Sequence, residues 1–242
     1  MIIKSRGIVF RHQRYGETSV ISDIYTEEKG LQSYIVSGVR TRKSRVSPSL
    51  LQLMSLVDLV AYFREDRHTL NRIKEIRPAH TFQSIPFDLL KGTVGMFLIE
   101  VARKSIIESE SNPNLFNFLY NTFLDLDQRE TPAFNFHLGF LLELSGYLGF
   151  LPDNTVEGES VYFDLREGSF GDTRPEHPDF LNPELSLLFH QILNCGYQNS
   201  HLVNLKRPQR QELLKGIIDY YRLHIEHFPE IKSYKILEEV LG

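Results

Sequence analysis

The chain carries one cysteine, Cys195, among its 242 residues. No disulfide can close within it, and no cysteine-rich zinc cluster can be built. Such cysteine usage suits a reducing cytoplasm. No apolar run approaches the roughly 20 residues that cross a bilayer as a helix, so no membrane association is expected. The opening Met1-Ile2-Ile3-Lys4-Ser5-Arg6 has neither a long apolar core nor a small-residue cleavage site, so no signal peptide is expected. Also missing are the Gly-rich phosphate loop ending in Gly-Lys-Ser/Thr, the dinucleotide fingerprint and the Gly-x-Ser-x-Gly elbow. His224-x-x-His227 is the nearest metal-like spacing, and two imidazoles fall short of the ligands zinc takes. Cys195 reads as buried filler rather than a nucleophile. Glu108, Glu110, Glu238 and Glu239 read as solvated surface groups. With no catalytic or cofactor signature, the expectation is a non-enzyme that uses no cofactor and no metal.

Hydrophobic residues make up 41% and charged residues 24%, the balance of a soluble globular chain of one or two domains. The net charge of −4 is unevenly spread. Residues 1–80 hold 14 basic and 8 acidic residues, whereas 81–242 hold 13 and 23. Halves of opposite sign suggest different partners, with the basic half a candidate for polyanion binding.

The basic half reads as strands. Gly7–Phe10, Thr18–Tyr25, Leu31–Gly38 and Ser55–Phe63 are short and rich in β-branched and aromatic residues. Gln13–Glu17 and Glu27–Gly30 separate the first three as turns. Leu31, Ser33 and Ile35 share one face of the third strand, with Gln32, Tyr34 and Val36 on the other; Val57, Leu59, Ala61 and Phe63 share a face of the fourth. Thr69–Ile76 fits a strand, although Leu70, Ile73 and Ile76 also suit a helix. Five short strands predict a small antiparallel barrel. Beyond Pro78 and Pro86 the period turns helical. Helices are expected over Phe87–Ile107, from Asn112-Pro113, from Thr131-Pro132 to Gly146, from Pro183 to about Cys195, and from Pro208 to His227. Residues 151–182 look irregular, apart from a strand at Val161–Leu165 that turns at Glu167-Gly168.

Four cations lie within Arg40-Thr41-Arg42-Lys43-Ser44-Arg45, directly after the third strand. An exposed loop of this kind suits phosphate, since arginine offers a planar fork of donors and lysine a mobile charge. Arg6, Arg11 and Arg14 lie in or just after the first strand, Lys29 in the second turn, and Arg64, Arg67, Arg72 and Lys74 around the last turn. These twelve are the candidate phosphate contacts. Tyr15, Tyr34, Tyr62 and Phe63 are interleaved with them and are candidates either for stacking on bases or for the core.

Four blocks then carry a resemblance. Gly7-Ile8-Val9, Tyr15-Gly16-Glu17-Thr18-Ser19, Tyr25-Thr26-Glu27-Glu28-Lys29-Gly30 and Gly38-Val39-Arg40 resemble, in order and spacing, the RecO family of bacterial recombinational-repair mediators. Ile99-Glu100, Leu144-x-x-Tyr147-Leu148-Gly149-Phe150, Tyr220-Tyr221-Arg222 and Lys232-Ser233 extend it more loosely. The resemblance implies an α+β chain of more than one domain: an N-terminal five-stranded OB-fold barrel, set here at 1–80, and a mostly α-helical remainder at 81–242. It implies binding of single- and double-stranded DNA, promotion of strand annealing, and help in loading recombinase onto coated single-stranded DNA. The implied partners are the RecR protein and the C-terminal tail of single-stranded-DNA-binding protein, in a cytoplasmic, nucleoid-associated setting. Arg103 and Lys104, followed by Ile106 and Ile107, are candidates to receive that tail.

One departure stands out. Many members carry a four-cysteine zinc module about where residues 151–182 lie, and this chain has no cysteine there. Asp153, Glu157, Asp172, Glu176 and His177 are poor replacements for thiolates, so no zinc is expected, and packing around Tyr162, Phe163 and Phe170 is expected to hold the segment. Two other classes stay open: an adaptor whose barrel binds a protein and no nucleic acid, and a hydrolase whose site is assembled from distant residues.

Overall fold

The computed structural model describes residues 1–39, 46–64, 70–106, 110–156 and 161–241. Five strands, β1 (Ile2–Tyr15), β2 (Ser19–Thr26), β3 (Gly30–Val36), β4 (Leu56–Tyr62) and β5 (Asn71–Pro78), close into a barrel in the order β1-β2-β3-β5-β4. β4 pairs back onto β1 antiparallel, and β3 pairs with β5 in parallel. This is the expected five-stranded OB-type barrel. β1 outruns its expected span because it serves two partners: Ile2–Ile8 pair with β4 and Gly7–Tyr15 with β2. A bulge between Val9 and Arg11 lets the strand bend from one to the other. Gly7 stands where both ladders overlap. A Cβ there would lie 2.7 Å from Ile24 Cγ2 and 3.2 Å from Leu59 Cδ2, so the barrel interior leaves room only for hydrogen. Val57, Leu59, Ala61 and Phe63 all face inward, and pack with Ile24, Tyr34, Val36 and Ile73.

Among the described residues six helices follow: α1 (Leu89–Ser105), α2 (Pro113–Gln128), α3 (Phe136–Tyr147), α4 (Pro183–Asn199), α5 (Arg207–His224) and α6 (Ser233–Val240). The chain divides into two compact units, residues 1–86 with 106–127, and residues 87–105 with 128–242. α2 thus belongs with the barrel. Its N-terminus is capped by Asn112, whose side-chain oxygen accepts from Leu115 N–H. Phe116 meets Tyr25, which stacks on Phe10, and all three rings are buried. At its other end the buried Asp127 carboxylate accepts from the backbone N–H groups of Gln83, Ser84 and Ile85, and meets His80 Nε2 at 3.1 Å.

In the second unit α3 is apolar all round and buried, as a central helix must be. Gly139 lets α4 approach it: a Cβ there would lie 2.5 Å from Tyr197 Cα. α4 runs past Cys195 but breaks at Gly196, where φ is 67°. The Glu143 carboxylate accepts from Tyr197 N–H at 2.7 Å and restarts the helix. Tyr220 and Tyr221 of α5 donate their hydroxyls to the carbonyls of Phe150 and Leu141.

The segment expected to be irregular apart from one strand holds a small sheet, β6 (Tyr162–Asp164), which is that strand, with β7 (Ser169–Gly171) and β8 (Phe180–Leu181), in the order β7-β6-β8. Phe163 centres it, with ring centroids 4.8 Å from Phe170 and 4.3 Å from Phe189. His177 Nε2 meets Asp164 at 3.0 Å, and Arg166 pairs with Asp179 at 2.6 Å. Among the described residues no three metal-ligating side chains converge; Glu157 lies outside them.

Two further helix limits and one whole helix differ from expectation. α3 begins at Phe136 rather than at Pro132: Asn135, with φ −109° and ψ 3°, lies outside the helix, and its side chain is tied to other segments, its amide donating to the carbonyls of Ser200 and Val203 and its oxygen accepting from Arg210. α5 stops at His224, since Ile225 is extended and His227 has a φ of 55°. His224 donates to the Leu165 carbonyl at 3.0 Å whereas His227 is exposed, so the two imidazoles do not form a pair. α6 had no counterpart in the sequence reading. Among the described residues no helix is long and apolar enough to cross a membrane.

Candidate nucleic-acid interface

Strand register builds a band of outward side chains on the barrel side that α2 does not cover. Gln13 lies opposite Ile21, Ile21 opposite Ile35, Ile35 beside Arg72, Arg72 opposite Tyr62, and Tyr62 opposite Ile2. The alternate residues Val20, Tyr34, Val36, Ile73, Ala61 and Ile3 point into the core, which fixes the band as outward. Tyr34 and Phe63 are therefore core residues and cannot stack on a ligand; Tyr15 and Tyr62 are exposed.

The candidate cations fall into distinct environments. Arg11, Arg14, Arg64, Arg72 and Lys74 are exposed on or beside this band. Arg11 is 3.9 Å from Asp23 and Lys74 is 3.6 Å from Glu75, exposed pairs that water screens heavily. Among the described residues no carboxylate pairs with Arg14, Arg64 or Arg72. Lys4 joins them: it is exposed on β1 opposite Val60. Sequence reasoning passed over Lys4, although the alternation Ile3 in, Lys4 out was there to be read. Lys29 is half-buried, with its ammonium 5.0 Å from the Phe63 ring centroid. Arg40, Arg42, Lys43, Arg45 and Arg67 lie outside the described residues.

Arg6 lies further along the same outward face of β1 as Lys4, where α2 packs. Its guanidinium forks onto Glu27 at 2.7 and 2.9 Å, donates to Asn117 at 2.8 Å, and lies over the Phe116 and Tyr120 rings. The bond from Arg6 holds the Glu27 carboxyl below the usual carboxylate range, and the same bond raises Arg6. Arg6 is thus the clamp that fixes α2 to the barrel. Lys104 on α1 is likewise engaged: it donates to Glu100 at 2.6 Å and to the Glu230 carbonyl, while Arg103 is half-buried beside it. Burial alone would raise Glu100; the bonds from Lys104, Ser233 and Lys232 overcome this and hold its pKa at about 2.

A family model described as Recombination protein O N terminal matches residues 1–82, and one described as Recombination protein O C terminal matches residues 86–234. The chain belongs to the RecO family of DNA repair proteins. It is 36% identical over 242 residues to the DNA repair protein RecO of Phocaeicola vulgatus, covering all of both chains. The DNA repair protein RecO of Bacteroides fragilis is 35% identical over 241 residues, covering 99% of both, and that of Flavobacterium psychrophilum is 36% identical over 246 residues, covering all of both. The blocks that carried the RecO resemblance do structural work. Gly16, Gly30 and Gly38 all take positive φ, between 60° and 72°, in turns and at a strand exit. Ile99-Glu100 and Lys232-Ser233, far apart in the chain, meet: the Glu100 carboxylate accepts from both backbone N–H groups at the start of α6 and from the Ser233 hydroxyl.

Proposed function

We propose that this chain is a non-enzymatic mediator of recombinational repair that binds single- and double-stranded DNA through the open side of its barrel. The supporting observation is the set of exposed cations, Lys4, Arg14, Arg64 and Arg72, that no described carboxylate neutralises. Arg11, Lys74 and Lys29 add to it, as does the basic run with Arg40, Arg42, Lys43 and Arg45, and Arg67. Arg6 is left out of the contact set because the α2 clamp engages it. Cations in this arrangement displace condensed counterions from phosphates, hold two strands close and screen their repulsion, which is what annealing requires. The division of labour is part of the proposal: residues 1–80 carry DNA, and residues 81–242, with an acidic balance, receive protein partners. These partners are RecR and the C-terminal tail of single-stranded-DNA-binding protein, the latter through Arg103. Through them the chain helps to load recombinase onto coated DNA, in the cytoplasm and on the nucleoid.

The test is a titration with a labelled oligonucleotide, single-stranded and duplex, at two salt concentrations. Four phosphate contacts alone should lower affinity about 50- to 150-fold between 50 and 200 mM salt, and each further contact should steepen the fall. Absence of any salt-dependent binding would remove DNA from this face and leave the protein-adaptor reading.

A further inference from the structure

Three exposed apolar side chains of the barrel gather at one place. Ile2, Tyr62 and Leu70 are 56%, 47% and 38% exposed. Ile2 lies directly opposite Tyr62 across β1 and β4. The backbones of Met1 and Phe63 exchange hydrogen bonds at 2.8 Å in each direction and continue that ladder. Arg64 N–H donates to the Asn71 side chain at 2.9 Å, closing the base of the β4–β5 connection and bringing Leu70 to the same corner. Arg72 is the cross-strand neighbour of Tyr62 on its other side. Lys4, two residues on from Ile2, and Arg64 complete a basic rim. Directly opposite side chains, as Ile2 and Arg72 are to Tyr62, stand about 5 Å apart at their Cβ atoms, and diagonal ones, as Lys4 and Leu70 are, about 7–8 Å, within reach of one ligand.

The rim sets the sign of that ligand, and the apolar centre sets its shape. It must carry negative charge and offer flat apolar faces. A duplex offers phosphates but keeps its base faces inside the stack. An unpaired strand offers both, and an aromatic ring beside a guanidinium suits a base next to its phosphate.

We propose that Tyr62, with Ile2 and Leu70 around it, takes the unpaired bases of single-stranded DNA, so that the barrel holds single strands and duplexes differently. This rests on the DNA-binding reading above and names the residue that discriminates. Tyr62 supplies the stacking surface. Arg72, Arg64 and Lys4 hold the phosphates, and they serve either form of DNA.

The chain has no tryptophan, so Tyr62→Trp installs a single indole at the site. Saturating oligothymidylate should quench its emission, and a duplex of equal length, at saturation by anisotropy, should not. Tyr62→Ala should lower single-strand affinity about 5- to 100-fold, leaving duplex affinity within about twofold and the salt slope unchanged. Stacking is overturned if a saturating single strand leaves the emission unchanged, if the duplex quenches equally, or if Tyr62→Ala weakens both forms alike. It is also overturned if an acidic, apolar peptide quenches the indole and oligothymidylate does not. Failure of the unaltered protein to bind either form defeats the DNA-binding reading itself; binding of both without stacking defeats only the role of Tyr62.

Discussion

Arg6 and Arg72 are both arginines on barrel strands, and their neighbours give them different work. Arg6 is bonded to a carboxylate and an amide and lies over two rings, whereas Arg72 points to solvent. Replacing Arg6 by alanine removes a charge-assisted fork and strands Glu27. Since the pair is partly exposed, the loss should be modest, about 1–3 kcal/mol in urea unfolding, with the salt dependence of DNA binding unchanged. Arg72→Ala should do the reverse: stability within about 0.5 kcal/mol of the parent, and a salt slope lower by about one. A salt slope that drops equally in both variants would mean that the clamp is not what holds Arg6. None of this contrast was legible in the sequence. Both arginines sat in the same basic set, and the groups that separate them, Glu27 and Asn117, lie 21 and 111 residues from Arg6. Tyr34 and Phe63 show the complementary case. Each sat on a face that alternation had already defined, and for Phe63 that face was the apolar one with Val57, Leu59 and Ala61. Its burial could be read from the period alone.

Elements were legible where one period ran uninterrupted and its partner was close in sequence. The β2 and β3 ladder is such a case: Val20–Thr26 pair with Gly30–Val36 across a three-residue turn. The length of β1 was hidden, because its first half pairs with β4, some fifty residues on. α6 was hidden for a similar reason. Its first N–H groups are capped by Glu100, on α1, more than 130 residues earlier, and no local capping residue announces the helix. The α3–α4 crossing depends on Gly139 in the same non-local way. Methyl substitution there meets the backbone of Tyr197, which cannot swing aside as a side chain could. Gly139→Ala should therefore cost about 1–3 kcal/mol through forced separation of the two helices, despite the higher helix propensity of alanine. The urea midpoint measures it. A stabilised Gly139→Ala variant would show that the helices do not pack backbone to backbone.

Across the whole molecule the two units hold their ionisable groups so that acid should reach them in order. His137, on α3 in the helical unit, is fully buried, faces the Phe97 ring edge, and has no hydrogen-bond partner for either ring nitrogen among the described residues. Burial, and then the charge of Arg210, push its pKa from 6.5 down to about 3. The folded state therefore excludes a proton that the unfolded chain binds below 6.5. The stability conferred by the neutral ring is complete above that pH and is lost as pH falls toward 3, at up to about 1.4 kcal/mol per pH unit. In the barrel unit the corresponding group is Asp127. Burial would raise it, but the N–H groups of Gln83, Ile85 and Ser84, together with His80, hold it at about 2 rather than 3.8. Its contribution is present above 3.8 and is lost only below that. Glu100, also at about 2, adds a second loss to the helical unit below 4.5. Between pH 6.5 and 4.5 the helical unit should thus weaken while the barrel with α2 keeps its protection. Peptide-resolved hydrogen exchange, corrected for the intrinsic rate at each pH, would show protection falling first across α1, α3, α4 and α5. His137→Leu, which puts an apolar group of similar size in an apolar site, should flatten that fall without loss of stability at pH 7. Barrel peptides that open first in this interval, or a His137→Leu variant with the parent's pH profile, would show that the buried imidazole does not govern the acid response.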